Sequence, residues 1–243
     1  MIVNPGVPQR PPQKRSTTPF LNPFTPTWND KVPEDTLIIS GVADSTQSRA
    51  TVGYKGVNKG RRPHELVVGH KSSAAVIAHE MGHVMGMVHE HNRNDRDNYV
   101  RFNCHNVRGF DDALGRATSM RIPPAEAQRR PCEDREFATQ YGFDSPAFIE
   151  NELLSSEPGR WGALDEPGSY DVDSIMHYAS YAFGDLDACL ASRDHCPLLR
   201  IEKDKQGSEI GTRLIGMHKR PSSGDVAWVK KNYCWLADAD CKQ

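Results

Sequence analysis

The stretch His79-Glu80-Met81-Gly82-His83-Val84-Met85-Gly86-Met87-Val88-His89-Glu90 reads H-E-x-x-H-x-x-G-x-x-H-E. On a helix of about 3.6 residues per turn, His79 and His83 project from one face and can close on a single metal ion. Glu80 sits beside them with a carboxylate free to move a proton. Gly86 is where such a helix would stop, because a residue without Cβ enters the left-handed region at little cost. The chain can then turn and bring in His89 as a third ligand. Three protein ligands leave one position of a tetrahedral zinc shell to water, which separates a catalytic zinc from a structural one closed by four ligands. The spacing therefore predicts one Zn2+ per chain on His79, His83 and His89, with Glu80 as the general base.

The residues around this stretch carry a more specific likeness. Glu90 is followed by His91-Asn92-Arg93-Asn94-Asp95-Arg96-Asp97-Asn98-Tyr99-Val100, and Ser174-Ile175-Met176-His177-Tyr178 comes far downstream. Together they resemble the astacin family of metzincin zinc endopeptidases, in which the glutamate after the third histidine and the R-x-D-R-D-N-Y-V run are distinctive. By that resemblance Met176 is the apolar floor under the zinc and Tyr178 is an additional, movable ligand that turns to the developing oxyanion when substrate arrives. Ile210-Gly211, Ser223-Gly224-Asp225-Val226 and Asn232-Tyr233-Cys234 are similar to the family's C-terminal stretch, so the likeness covers about residues 36 to 234. It implies an α+β fold of the two-lobed metzincin type. The upper lobe, to about residue 90, would hold a small mixed sheet and the zinc helix. The lower lobe, 91–241, would be largely irregular and end in a helix. Glu90 in the family faces the buried, processed N-terminus through solvent.

The chain of 243 residues, 37% hydrophobic and 26% charged, is long enough for one domain with a buried core or two small lobes around a cleft. A formal net charge of −2 argues against a nucleic-acid surface, which needs a cationic excess. The run Lys59-Gly60-Arg61-Arg62 reads as a solvated loop between strands. No apolar run approaches the roughly 20 residues that cross a bilayer.

Cysteines stand at 104, 132, 189, 196, 234 and 241. An even number beside a histidine-based site points to disulfides and an oxidising compartment, with buried reduced thiols as the alternative. Six cysteines allow fifteen pairings. Proximity favours Cys104 with Cys132, Cys189 with Cys196, and Cys234 with Cys241. The family's usual bridges tie the C-terminal end to the early N-terminal lobe, whereas no cysteine here precedes Cys104.

Residues 1–35 carry Pro5, Pro8, Pro11, Pro12, Pro19, Pro23, Pro26 and Pro33 without helical or alternating periodicity and are expected to be irregular. Met1-Ile2-Val3 runs into Asn4-Pro5-Gly6 instead of an apolar secretory core. The family's usual signal, propeptide and first strand and helix have no recognisable counterpart, so the expectation is that upstream sequence is missing or the upper lobe reduced. Secretion is expected from the family and the cysteine count. Ordered structure should begin near Thr36, in a catalytic domain over 36–241. Leu37-Ile38-Ile39 reads as a buried strand, Ala50 to Tyr54 as a second and Leu66-Val67-Val68 as a third. Ser72 or Ser73 can cap the zinc helix, whose Ala74 to Ala78 would pack it into the lobe.

An insertion near 103–168 exceeds the family norm and carries no chemistry of its own, apart from a short helix expected near Pro146 to Leu154. Ser223 to Tyr233 reads as a capped amphipathic helix using Val226, Val229 and Tyr233 against the core. His177 should point away from the metal by strand alternation, and His64, His70, His91, His105, His195 and His218 lack ligand spacing and read as surface or packing residues. These readings point to an endopeptidase acting on protein or peptide substrates. The rival is a pseudoprotease whose incomplete upper lobe leaves a zinc-containing binding protein.

Overall fold

The computed structural model describes residues 36–53, 64–149 and 169–233. The Pro-rich segment 1–35, the basic run 59–62, the end of the helix expected near 146–154, and Cys234 and Cys241 lie outside the described residues. The architecture is α+β. Among the described residues, two sheets of three strands each make up its β part.

In the first sheet β1 (Ile38–Val42) runs parallel to β3 (Glu65–Gly69), with Ile39 opposite Leu66, while β2 (Arg49–Ala50) pairs antiparallel on β3's other edge. The central strand is the apolar one. Leu66 and Val67 are 2% and 3% exposed, as expected of a strand covered on both sides. The expected first strand differs: β1 begins at Ile38, and Ile39 and Val42 are 45% and 42% exposed. An apolar triplet cannot by itself distinguish a central strand from an edge one. Of the second expected strand, Ala50 to Tyr54, the structure keeps only Ala50, in a strand Arg49–Ala50, and Tyr54 lies outside the described residues.

Helix α1 (Ala74–Val84) follows, capped by Ser73, whose hydroxyl accepts from the Val76 N–H at 3.3 Å. Its first turn is less packed than expected: Ala74 is exposed and residues 75–78 are half-buried. It ends in a Schellman motif in which Met87 N–H donates to the Gly82 carbonyl at 2.9 Å and Gly86 N–H to the His83 carbonyl at 2.8 Å. Gly86 sits at φ 99°, the left-handed position its place in the sequence predicts.

The second sheet is antiparallel: β4 (Val100–Phe102) pairs with β5 (Leu198–Lys203), and β5 with β6 (Glu209–Arg213). Between β4 and β5 lie α2 (Phe110–Ser119), α3 (Pro124–Glu133), α4 (Arg135–Gln140) and α5 (Leu186–Ala191). This part is more regular than the irregular lobe suggested by the sequence. The described portion of the insertion, which suggested no chemistry, supplies most of the largest core: Phe110, Ala113, Ala117, Ala127, Phe137, Ala138, Phe143 and Phe148 pack with Val100 and Leu198. Small alanines on the facing sides of α2 and α3 let the helices approach. At the expected short helix the described residues show a single 3-10 turn, Ser145–Ala147.

The last helix, α6 (Ser223–Asn232), has a complete capping box: Ser222 Oγ accepts from the Asp225 N–H at 2.9 Å, and Asp225 accepts from the Ser222 N–H at 2.8 Å. Its packing face differs from the expected one. Trp228 and Val229 lie against Met87, Ile175 and Met176, whereas Val226 and Tyr233 are 45% and 50% exposed.

Disulfides join Cys104 to Cys132 and Cys189 to Cys196, the pairings that proximity favoured. The first closes a 28-residue separation and ties α3 to the turn before α2. Chain-entropy scaling for a loop of that length gives about 3.5 kcal/mol. Cys104→Ala with Cys132→Ala should therefore lower the unfolding free energy by about 3 kcal/mol or more, read as a shift of the urea midpoint. Amide exchange should rise first in α2 to α4. A loss below about 1 kcal/mol would show that packing alone holds these helices.

Candidate metal centre

Helix α1 places His79 and His83 one turn apart, and the Schellman turn at Gly86 returns the chain so that His89 faces both. His79 Nε2 and His83 Nε2 each lie 3.1 Å from His89 Nε2. A tetrahedral ion with Zn–N of about 2.0–2.1 Å would hold its nitrogens about 3.3 Å apart. Among the described residues this is the only group of three or more His, Cys, Asp or Glu side chains disposed to hold a metal ion.

The other ring nitrogens explain why these three face inward. His79 Nδ1 lies 2.8 Å from the Ile175 carbonyl and His83 Nδ1 lies 2.9 Å from the Met87 carbonyl. A carbonyl only accepts, so each Nδ1 carries the proton and each Nε2 presents a lone pair. His89 hydrogen-bonds the Asn92 side chain, whose amide nitrogen is already donating to the Ala147 and Ile149 carbonyls at 3.2 and 2.7 Å. The amide oxygen is thus left for the imidazole. Three lone pairs with no proton between them are a poor arrangement alone and a good one around a cation. Desolvation lowers the pKa of all three, that of His83 to about 4, so the ligands are neutral at pH 7 as zinc requires.

Glu80 is 8% exposed on the same helix, and burial raises its pKa, opposed by a hydrogen bond from the Ala50 backbone on β2. Beneath the histidines, residues 171–178 form tight turns: Ser174 N–H donates to the Asp171 carbonyl and His177 N–H to the Ser174 carbonyl, both at 3.0 Å. Met176, 1% exposed, lies under Gly82. A Cβ on Gly82 would stand 2.6 Å from Met176 Sδ and 3.3 Å from Met87 Sδ, so the floor can rise this close only because position 82 has no side chain.

Asp225 fixes the floor. Its carboxylate, 5% exposed, accepts from Ser174 Oγ at 2.6 Å and from the Ile175 N–H at 2.8 Å while also capping α6. Glu90 Oε1 accepts from the Asp171 N–H at 2.8 Å and from Arg93 Nη1 at 3.1 Å, and Arg93 also pairs with Asp95 at 2.8 Å. Glu90 thus binds the 171–178 segment from one side and Asp225 from the other. Nothing in the short motif announces Gly82, Asp171 or Asp225 as parts of this site. Asp225 falls within the family-like stretch 223–226, and its place three residues after Ser222 signals a helix cap and not a hold on the floor.

Tyr178 lies beside the histidines, its ring centroid 4.5 Å from that of His89, and burial, with Glu80 adding to it, pushes its phenol up to about 12. His177 points away as expected, though the cause is a turn and not strand alternation. Its Nε2 lies 2.7 Å from the Tyr170 hydroxyl and its Nδ1 2.8 Å from the Tyr178 carbonyl. His91 is fully buried, and its Nε2 lies 3.1 Å from the Ala147 carbonyl.

The family model for the Astacin peptidases matches residues 43–119. Tolloid-like protein 1 of Homo sapiens is 31% identical over 180 residues, covering 72% of this chain and 12% of its own. Bone morphogenetic protein 1 of Xenopus laevis is 29% identical over 180 residues, 72% of this chain and 18% of its own. The zinc metalloproteinase nas-11 of Caenorhabditis elegans is 24% identical over 183 residues, 75% of this chain and 23% of its own. Among solved structures, high choriolytic enzyme 1, a hatching enzyme zinc-protease from Oryzias latipes, aligns with 82% of this chain and 68% of its own at 22% identity and a TM-score of 0.45. The chain spans about an eighth of the length of the first of these relatives. With the family model crossing the zinc helix and the relatives carrying the match over most of the sequence, the chain belongs to the astacin family of peptidases.

Proposed function

We propose that the chain is a zinc-dependent endopeptidase that hydrolyses peptide bonds in proteins, with His79, His83 and His89 as ligands, Glu80 as general base and Tyr178 as oxyanion donor. The observation that carries this reading is the convergence of the His79, His83 and His89 Nε2 atoms, with a buried carboxylate next to His79 on α1. A bound zinc supplies a Lewis acid that lowers the pKa of water towards neutrality and polarises a carbonyl.

Glu80 accepts the attacking water's proton at its carboxylate and returns it to the departing amine nitrogen. Burial makes it a stronger base than an exposed carboxylate, and the Ala50 backbone hydrogen bond aims it. Tyr178 remains a protonated donor at neutral pH, and its phenolic O–H stabilises charge developing on the carbonyl oxygen. β2 forms an edge of the upper sheet and its backbone reaches Glu80, so an extended peptide laid along that edge would bring its scissile bond to the base. The catalytic unit in this reading spans 36–241, an upper lobe to about residue 90 and a lower lobe beyond. The two disulfides fit an extracellular setting, and no described helix is long and apolar enough to cross a membrane.

Elemental analysis of the purified protein should find about one zinc per chain, lost when His79, His83 and His89 are all replaced by alanine. Zinc retained by the triple variant would sink the assignment. Glu80→Gln should keep zinc and fold while casein hydrolysis drops by at least about 100-fold, with Tyr178→Phe losing less because nucleophile and base remain. Full activity in Glu80→Gln would remove Glu80 from the role. Gly82→Ala should destabilise the fold by about 1–3 kcal/mol through overlap with Met176, and Met176→Ala in the same chain should relieve part of that loss. Simple additivity of the two costs would show that Gly82 and Met176 do not press on one another.

A further inference from the structure

We propose that His91 is a positioning residue for Tyr178, holding its backbone and ring in the place from which the phenol acts. The inference rests on the reading of Tyr178 as the oxyanion donor. The Tyr178 N–H donates to His91 Nδ1 at 3.3 Å, and the two rings lie with centroids 4.1 Å apart at 30°. Because Nδ1 accepts, Nε2 carries the proton and donates to the Ala147 carbonyl at 3.1 Å. The imidazole is therefore pinned at both nitrogens, between the Ser145–Ala147 turn on one side and the 171–178 turns on the other.

The rings of His89, His91 and Tyr178 close a triangle, with His89 and His91 centroids 5.0 Å apart and His89 and Tyr178 4.5 Å apart. Phe148, fully buried, backs both His91 and Tyr178 at 5.6 and 5.7 Å. Three donors from the turn after His89 meet three successive carbonyls at this point: His91 and Asn92 reach Ala147, Arg96 reaches Phe148, and Asn92 reaches Ile149. Arg96 also donates to the His91 carbonyl at 3.2 Å. The base of the Tyr178 side chain is thus anchored to the same rigid body as the third ligand. A donor that must meet charge at one point acts best when its position is set before the reaction begins.

Two substitutions separate the parts of this role. His91→Phe keeps a ring against Tyr178 but removes the acceptor for its N–H, and the Ala147 carbonyl still receives Asn92 Nδ2 at 3.2 Å. His91→Gln can rebuild both hydrogen bonds without the ring. His91→Phe should lower kcat by about 10-fold with KM little changed, His91→Gln should recover most of that loss, and His91→Phe should cost less than about 2-fold once Tyr178 is Phe. Fluorine NMR of the zinc-free protein labelled with fluorotyrosine gives a second reading. The resonance that disappears in Tyr178→Phe should shift and broaden in His91→Phe and return in His91→Gln. If His91→Phe fails to fold, as read by circular dichroism, His91→Leu takes its place in every comparison. Losses that multiply in the double variant, a glutamine variant as impaired as the phenylalanine one, or an unmoved fluorine resonance would each overturn the proposal. Should Tyr178→Phe itself cost nothing, the oxyanion reading fails, and the fluorine comparison alone decides whether His91 positions Tyr178.

Discussion

Three imidazole lone pairs converge, that of His89 lying 3.1 Å from those of both His79 and His83, and the rest of the structure depends on keeping them there. Lone pairs do not attract, so the arrangement stands only because each ring commits its other nitrogen elsewhere: His79 to Ile175, His83 to Met87 and His89 to Asn92. Each partner lies in a different part of the chain. The Ile175 carbonyl is placed by the 171–178 turns, Met87 by the helix stop at Gly86, and Asn92 by the carbonyls of Ala147 and Ile149. Metal affinity is thus distributed over segments that never touch the ion.

The ligands themselves were legible because their spacing is dictated by local geometry. Two histidines four apart, a glycine three further on and a third histidine after it specify a helix, its termination and a return, and Ser73 and Gly86 sit where those rules put them. The two short disulfides were legible for a similar reason, since close sequence spacing left few nearer partners.

What the sequence did not show is mostly non-local. Asp225 stands 50 residues from Ile175, yet one carboxylate serves as helix cap and as acceptor for the floor. Gly82 looks like an unconstrained position within the motif until Met176 is placed beneath it. The apolar residues of β1 suggest more burial than the strand has, because they say nothing about which edge of the sheet they occupy. The inward face of α6 is set by Trp228, which the spacing of Val226, Val229 and Tyr233 leaves out. The helices between β4 and β5 bury Ala113, Ala117, Ala127 and Ala138, and alanine serves equally well on a buried face and in an exposed turn, so their packing faces were not legible in the sequence.

The contact between the turn after His89 and residues 147–149 distributes constraint unequally. The donors there are side chains, His91, Asn92 and Arg96, and a replacement must supply a donor of similar reach. The acceptors are backbone carbonyls, which every amino acid possesses. One partner must therefore keep donor side chains while the other need keep only its path, apart from the buried ring of Phe148. A segment recognised through its main chain can drift in sequence, and change length on its far side, without loosening its grip on the metal centre.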